Sequence, residues 1–188
     1  ALDEIRLLEV GQIDLNGSLF DCDAAEIQQR LVALPEVGGA KVKCNYPGTL
    51  EVTVSARRPF VWIACDARDI PARDLARGML VDRGGRLFRC TRSMYDEAKR
   101  LPVIELRDGG ESLEPGDVID HPDYARGIRL YTIALEASTE ALEWVDVIRQ
   151  HKAWGSKLIT RDRIEATFGH EDLDRQMEDF LAAVGHAR

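Results

Sequence analysis

The feature that most constrains this chain is a pair of prolines set on either side of a strand pattern. The stretch LPEVGGAKVKCNYPGTLEVTVSARRPFVW, residues 34–62, carries Pro47 and Pro59 flanking TLEVTVSA. In that segment Leu50, Val52 and Val54 alternate with Glu51, Thr53 and Ser55, which suits a strand buried on one face. Just before it, Ala40, Val42 and Cys44 alternate with Lys41 and Lys43 in the same way. Proline cannot donate to a strand ladder, so the two prolines mark where the second strand starts and stops. Pro47-Gly48 reads as the turn, with Pro47 fixing φ and Gly48 accepting a positive φ. The stretch predicts a β-hairpin, and no residue in it has an evident catalytic use.

Helical patterns precede the hairpin. LDEIRLLEV places Ile5, Leu8 and Leu7 toward one face, in a pattern that already includes Ala1. A loop follows around Gly17. In DCDAAEIQQRLVAL, Asp23 reads as an N-cap, and Glu26 three residues on gives a capping-box spacing. Ala24, Ile27, Leu31 and Leu34 recur on one side until Pro35 ends the helix.

After Pro59 the grammar changes. FVWIAC is a nearly continuous apolar strand, and IPARDLARG is a loop or short helix. MLVDRGGRLFRC is a second hairpin turning on Arg83-Gly84-Gly85. LPVIEL is a short strand and LEPGDVID a loop. HPDYARGIRLYTIALEA reads as a helix with Pro122 in its first turn and Tyr124, Ile128, Tyr131 and Leu135 near one face. WVDVIRQHK and SKLITRDRIEATFG give three strands, with Trp144 opening the first and Arg161-Asp162 joining the last two. EDLDRQMEDFLAAV is a closing amphipathic helix on Leu173, Met177, Phe180 and Leu181, ending near Gly185.

The expected architecture is α+β in two blocks that meet in ARRPF. Residues 1–58 form a unit of two helices and a hairpin. Residues 59–188 form a mainly antiparallel sheet with two helices. With 45% hydrophobic residues the chain can build a core. Its net charge of −8 argues against nucleic acid as a main partner and against tight docking on anionic lipid. No run approaches the roughly 18 apolar residues of a membrane span.

The polar residues give no clear reaction centre. A nucleophile reading would pair Cys65 or Cys90 with His121, His151 or His170, but nothing in the spacing brings them together, and the phosphate-loop, dinucleotide and nucleophile-elbow motifs do not occur. A metal reading would use His121, His151, His170 and His186, none of which stands three or four residues from another. His170 reads instead as a local cap or solvent residue, and Asp172 and Asp174 as companions of a helix N-terminus. Tyr46 and Trp62 read as turn packing and core rather than as a ligand platform, and Trp154 as the exposed aromatic of a tight turn. The four cysteines, Cys22, Cys44, Cys65 and Cys90, fit small buried hydrophobes. An oxidising compartment would permit disulfides, but the spacing selects none of the three possible pairings. No cofactor and no small-molecule substrate are implied.

At this point the motifs together resemble a family. Leu34, Pro35 and Val37, then Ala40 and Val42, then Tyr46, Pro47, Thr49 and Leu50, then Arg57 and Pro59 follow the order of the POTRA domain of FtsQ/DivIB-type cell-division proteins. Ala56 departs from the glutamate usual there, and Tyr46 stands where tryptophan is usual. MLVDRGGRLF, RLPVIEL and LITRDRIEATFGHEDLDRQMEDFLAAV are similar to the elements of the β domain that follows it in that family.

The resemblance implies a non-enzymatic assembly protein on the periplasmic or extracytoplasmic face of the inner membrane, anchored by one membrane helix of the parent chain. Its partners would be FtsB-like and FtsL-like division proteins. It also implies that the POTRA unit here lacks its first strand and that a last strand of the β domain lies beyond Arg188. A POTRA module of outer-membrane assembly or secretion, binding client strands, is the alternative. It would usually carry POTRA repeats and a barrel, whereas this chain shows one such unit and a different second block. The expected partner surface is RIEATF and the closing helix: Ile164, Glu165, Ala166, Thr167 and Phe168, with Asp174, Glu178 and Leu181. There Ile164, Ala166 and Phe168 should face the core and leave an exposed strand edge.

Overall fold

The computed structural model describes residues 4–14, 17–18, 22–110 and 112–186. Ala1 and Arg188 lie outside the described residues, as does the side chain of His186.

Two helices, α1 (Glu4–Gly11) and α2 (Ala24–Val32), pack on a hairpin of β1 (Val37–Asn45) and β2 (Thr49–Ala56). Asp23 caps α2 as expected: its carboxylate accepts from the backbone N–H of Ala25 and Glu26. Glu26 does not complete the capping box with its side chain and instead pairs with Arg30 one turn on, at 2.5 Å. Ile27, Leu31 and Val42 form the buried centre, with Leu7, Ile13, Ala40, Leu50, Val52 and Val54 around them. The inward face of α1 is therefore set by Leu7. Ile5, expected to be buried, is 66% exposed. The hairpin register runs from Asn45↔Thr49 to Val37↔Ala56, with an irregularity at Gly38. The Tyr46–Pro47 peptide is cis, and Gly48 is not among the positive-φ residues, so its expected role in the turn is corrected.

The rest of the chain builds a seven-stranded sheet in the order β5-β4-β3-β6-β7-β8-β9. Its strands are β3 (Val61–Ala64), β4 (Met79–Val81), β5 (Leu87–Arg89), β6 (Val103–Glu105), β7 (Val145–Lys152), β8 (Gly155–Thr160) and β9 (Glu165–Gly169). Most neighbours are antiparallel, but β6 runs parallel to both β3 and β7. The two long helices are α4 (Pro122–Ala137) and α6 (Leu173–His186). Two one-turn helices, α3 (Tyr95–Ala98) and α5 (Ala141–Trp144), were not expected. Trp144 thus ends a helix rather than opening a strand, and its ring lies 5.9 Å from Phe180.

The apolar run of β3 follows from burial on both faces. Val61 and Ile63 enter the main core with Tyr131, Ile148, Phe168 and Met177. Trp62 points the other way, into a smaller core with Leu80, Phe88, Leu101 and Val103. Its indole N–H donates to the Ala98 carbonyl at 2.7 Å. One side chain ties the hairpin unit to this sheet. Arg57 donates to the Pro35 carbonyl at 2.6 Å, the Val37 carbonyl at 2.7 Å and the Asp82 carboxylate at 2.6 Å.

Candidate functional site

The two edges of the large sheet are built differently. At β5, the N–H of Leu87 donates to the Asp117 carbonyl and its carbonyl accepts from Gly116, both at 2.8 Å, so the loop after Leu113 closes that side. Among the described residues, no strand pairs with β9 on its outer side. The β8–β9 register sets Leu158 opposite Ala166 and Ser156 opposite Phe168. Thr160 donates its N–H to the Ile164 carbonyl, and the Ile164 N–H goes to the Thr160 hydroxyl. Antiparallel pairs alternate in bonding, so Ile164, Ala166 and Phe168 turn their backbone groups toward β8, and Glu165, Thr167 and Gly169 turn theirs outward. Gly169 fits this parity, because its outward N–H is taken by the Gln176 side chain of α6 at 2.8 Å. The open backbone groups therefore centre on Glu165 and Thr167.

The structure brings the expected partner residues to one end of the sheet, with one correction. Phe168 is buried and meets Phe180 edge-on at 5.7 Å, and Ala166 is half-buried. Ile164 is 37% exposed and sits in the turn before β9, so the inward alternation begins at Ala166. Asp174 and Glu178 are exposed, one turn apart on α6. Leu181 is half-buried beside Trp144 and Phe180, where these residues line a shallow hollow with Val184. Lys157 of β8 binds Glu165 at 2.5 Å, and this hydrogen bond and charge hold the Glu165 carboxyl below its usual range. Sequence reasoning missed Lys157 and Gln176, because only the register and the helix position bring them to the edge.

The candidate reactive residues lie elsewhere. Cys65 is buried, and its thiol donates to the Asp108 carbonyl at 3.3 Å. His121, also buried, reaches the Asp108 carboxylate through Nε2 at 2.9 Å. The structure thus brings Cys65 and His121 to one residue, which the spacing had not indicated. Nδ1 of His121 accepts the N–H of Asp123 at 3.1 Å, so the imidazole is the N-cap of α4 and both its nitrogens are engaged away from the thiol. Cys90 is buried in the smaller core, and burial pushes its thiol up to about 11. His151 is exposed on β7. His170, expected to cap or to face solvent, has a buried Nε2 with no hydrogen-bond partner. No group of three or more metal-binding side chains occurs among the described residues. Tyr46 and Trp154 are each 62% exposed, at separate turns.

Asp123, beside this cap, carries a pH prediction. It is buried and accepts from the Arg107 backbone N–H at 3.2 Å and from its guanidinium twice at 3.0 Å. Burial pushes the carboxyl up, but the Arg107 bonds and charge outweigh it, and the group titrates below its usual range. A carboxyl more acidic folded than unfolded stabilises fully above its unfolded value of about 4, and that stabilisation is lost as pH falls through the folded value. Asp123→Asn should cost about 1–2 kcal/mol at neutral pH, a figure reduced because Arg107 is 58% exposed. The deficit should shrink in acid, as read from urea midpoints across pH. A constant deficit would mean that the charge of Asp123 is not involved.

Comparison with known proteins bears on the first unit. No curated protein matches the chain. Residues 1–57 match the family described as POTRA domain, FtsQ-type. The part of the molecule that packs α1 and α2 on the β1–β2 hairpin is therefore the part the match covers, and it is similar to an FtsQ-type POTRA domain.

Proposed function

We propose that this chain is the extracytoplasmic part of a non-enzymatic cell-division scaffold, with a POTRA unit at 1–58 and a docking unit at 59–188. The observation that carries the reading is the open edge of β9, with outward backbone groups at Glu165 and Thr167 beside the exposed acids of α6. The FtsQ-type POTRA match supports the process, and the edge supports the mode of binding. An extended segment of an FtsB-like or FtsL-like partner adds a strand to β9 by backbone pairing. Its basic residues meet Asp174 and Glu178, while an apolar side chain enters the hollow at Leu181. No helix of the described residues is long and apolar enough to cross a membrane.

The parity of β9 supplies the test. Proline is tolerated where a strand N–H faces outward, because no ladder bond is lost. Glu165→Pro and Thr167→Pro in the full parent chain should keep the circular dichroism and melting temperature. They should weaken capture of the division partners at least about tenfold, or roughly 1.4 kcal/mol. Ala166→Pro should instead damage the β8 ladder and lower stability. Folded 165 and 167 variants that bind as the native chain does would move the site off this edge, toward the POTRA unit.

A further inference from the structure

We propose that Cys22 and Cys44 form an intramolecular disulfide that fastens the start of α2 to the end of β1. Chain geometry places them together. The Val37 N–H bonds to the Leu34 carbonyl, so β1 doubles back along α2. Back along α2 from Val32 to Ala24 the chain rises about 12 Å, and the extended step through Asp23 to Cys22 adds about 7 Å more. From Val37 on to Cys44 it runs about 23 Å as strand. Two antiparallel paths of similar length bring their far ends together.

Side-chain direction agrees. Cys44 shares a strand face with Val42 and Ala40, which lie in the core under the helices, and its register partner is Leu50. Cys22 packs into that same core. Cys22 lines one hollow with Leu50, the residue opposite Cys44 across the hairpin. Both residues are half-buried, so a soluble oxidant can reach them. Cys65 and Cys90 are buried in two separate cores of the large sheet, with their thiols turned to the Asp108 and Thr91 carbonyls. Of the three ways to pair four cysteines, two would join a half-buried cysteine of the hairpin unit to a buried one of the large sheet, and only the one with Cys22–Cys44 joins two accessible cysteines.

The oxidant is a disulfide, supplied by a small molecule such as oxidised glutathione or by a dithiol–disulfide protein. The thiolate of one cysteine attacks the oxidant's sulfur, forms a mixed disulfide and releases one reduced thiol. The second protein thiolate then attacks the mixed disulfide at its protein sulfur and releases the other. Two protein thiols become one S–S bond, and the oxidant takes up both electrons and both protons. Burial and the neighbouring thiol push the Cys22 thiol above its usual range, so attack by Cys22 itself is slow at neutral pH and quickens as pH rises.

The test uses the whole chain, fully reduced and then exposed to oxidised glutathione. Mass spectrometry should show loss of two hydrogens per chain, and mapping without reductant should show the Cys22 peptide joined to the Cys44 peptide. Cys65 and Cys90 should take up an alkylating reagent only after denaturation. In Cys22→Ser and Cys44→Ser, the remaining partner should hold glutathione as a lasting mixed disulfide. Circular dichroism confirms that each variant is folded, and the mapping of the native sequence depends on neither. Glutathione retained on both cysteines of the native chain, free thiols at both, or a bridge to Cys65 or Cys90 would each overturn the proposal.

Discussion

Arg57→Ala should uncouple the unfolding of the two halves of the molecule. The guanidinium is 13% exposed and reaches three acceptors at once: the carbonyls of Pro35 and Val37 and the carboxylate of Asp82, itself 17% exposed. Truncation leaves that carboxylate without its counter-charge, held only by the N–H groups of Gly84 and Arg86, and the two carbonyls without the guanidinium, at a cost of about 2–4 kcal/mol. Arg57→Lys should restore only part of this, because a single ammonium cannot replace a planar fork. All three tryptophans, Trp62, Trp144 and Trp154, lie after Arg57. Tryptophan fluorescence therefore follows the large sheet alone, whereas circular dichroism follows the whole chain. In urea the two signals should coincide for the native sequence and separate for Arg57→Ala. Coincident transitions in the variant would show that Arg57 does not join the units.

The second large effect is expected at Gly78. A Cβ there would stand 2.3 Å from the Asp74 carbonyl oxygen and 2.6 Å from the Trp62 ring. Neither neighbour can give way. The Asp74 carbonyl accepts the Gly78 N–H, and its carboxylate holds the N–H groups of Ala76 and Arg77. Trp62 is fully buried and anchored through its indole to Ala98. Gly78→Ala should therefore cost about 3 kcal/mol or more, which for a chain of this size lowers the melting temperature by roughly 6–12 °C. Gly185→Ala is the matched control. It lies in α6 with nothing near its added Cβ, and should be neutral or stabilising by up to about 1 kcal/mol. Equal effects at the two sites would remove the steric argument.

What could be read in the sequence depended on how local its cause was. The hairpin of β1 and β2 was legible because a one-sided strand repeats every two residues and prolines bound it. The α2 cap was legible because Asp23 acts on amides only two and three residues on, those of Ala25 and Glu26. The apolar run of β3 announced burial, but not that Val61 and Trp62 enter different cores. The parallel placement of β6 against β3 and β7 had no local sign, since strand direction depends on what lies between the strands. Arg57 and Asp82 each stood out within a motif, yet their contact spans 25 positions and only folding reveals it. At the candidate edge the alternation of RIEATF was legible. The exposure of Ile164 was not, because the turn at Thr160 takes up its backbone groups.

The strand order of the large sheet also determines a direction. From β3, where the chain enters from the hairpin unit, to β9 there are four steps between neighbouring strands. At about 4.8 Å each, the open edge stands roughly 19 Å from the entry strand. At about 20–25° of twist per step, β9 is turned by roughly 80–100° relative to β3. The sheet thus turns a corner. A segment laid along β9 runs crosswise to the strand that leaves the joint, and tension along one is not passed straight into the other.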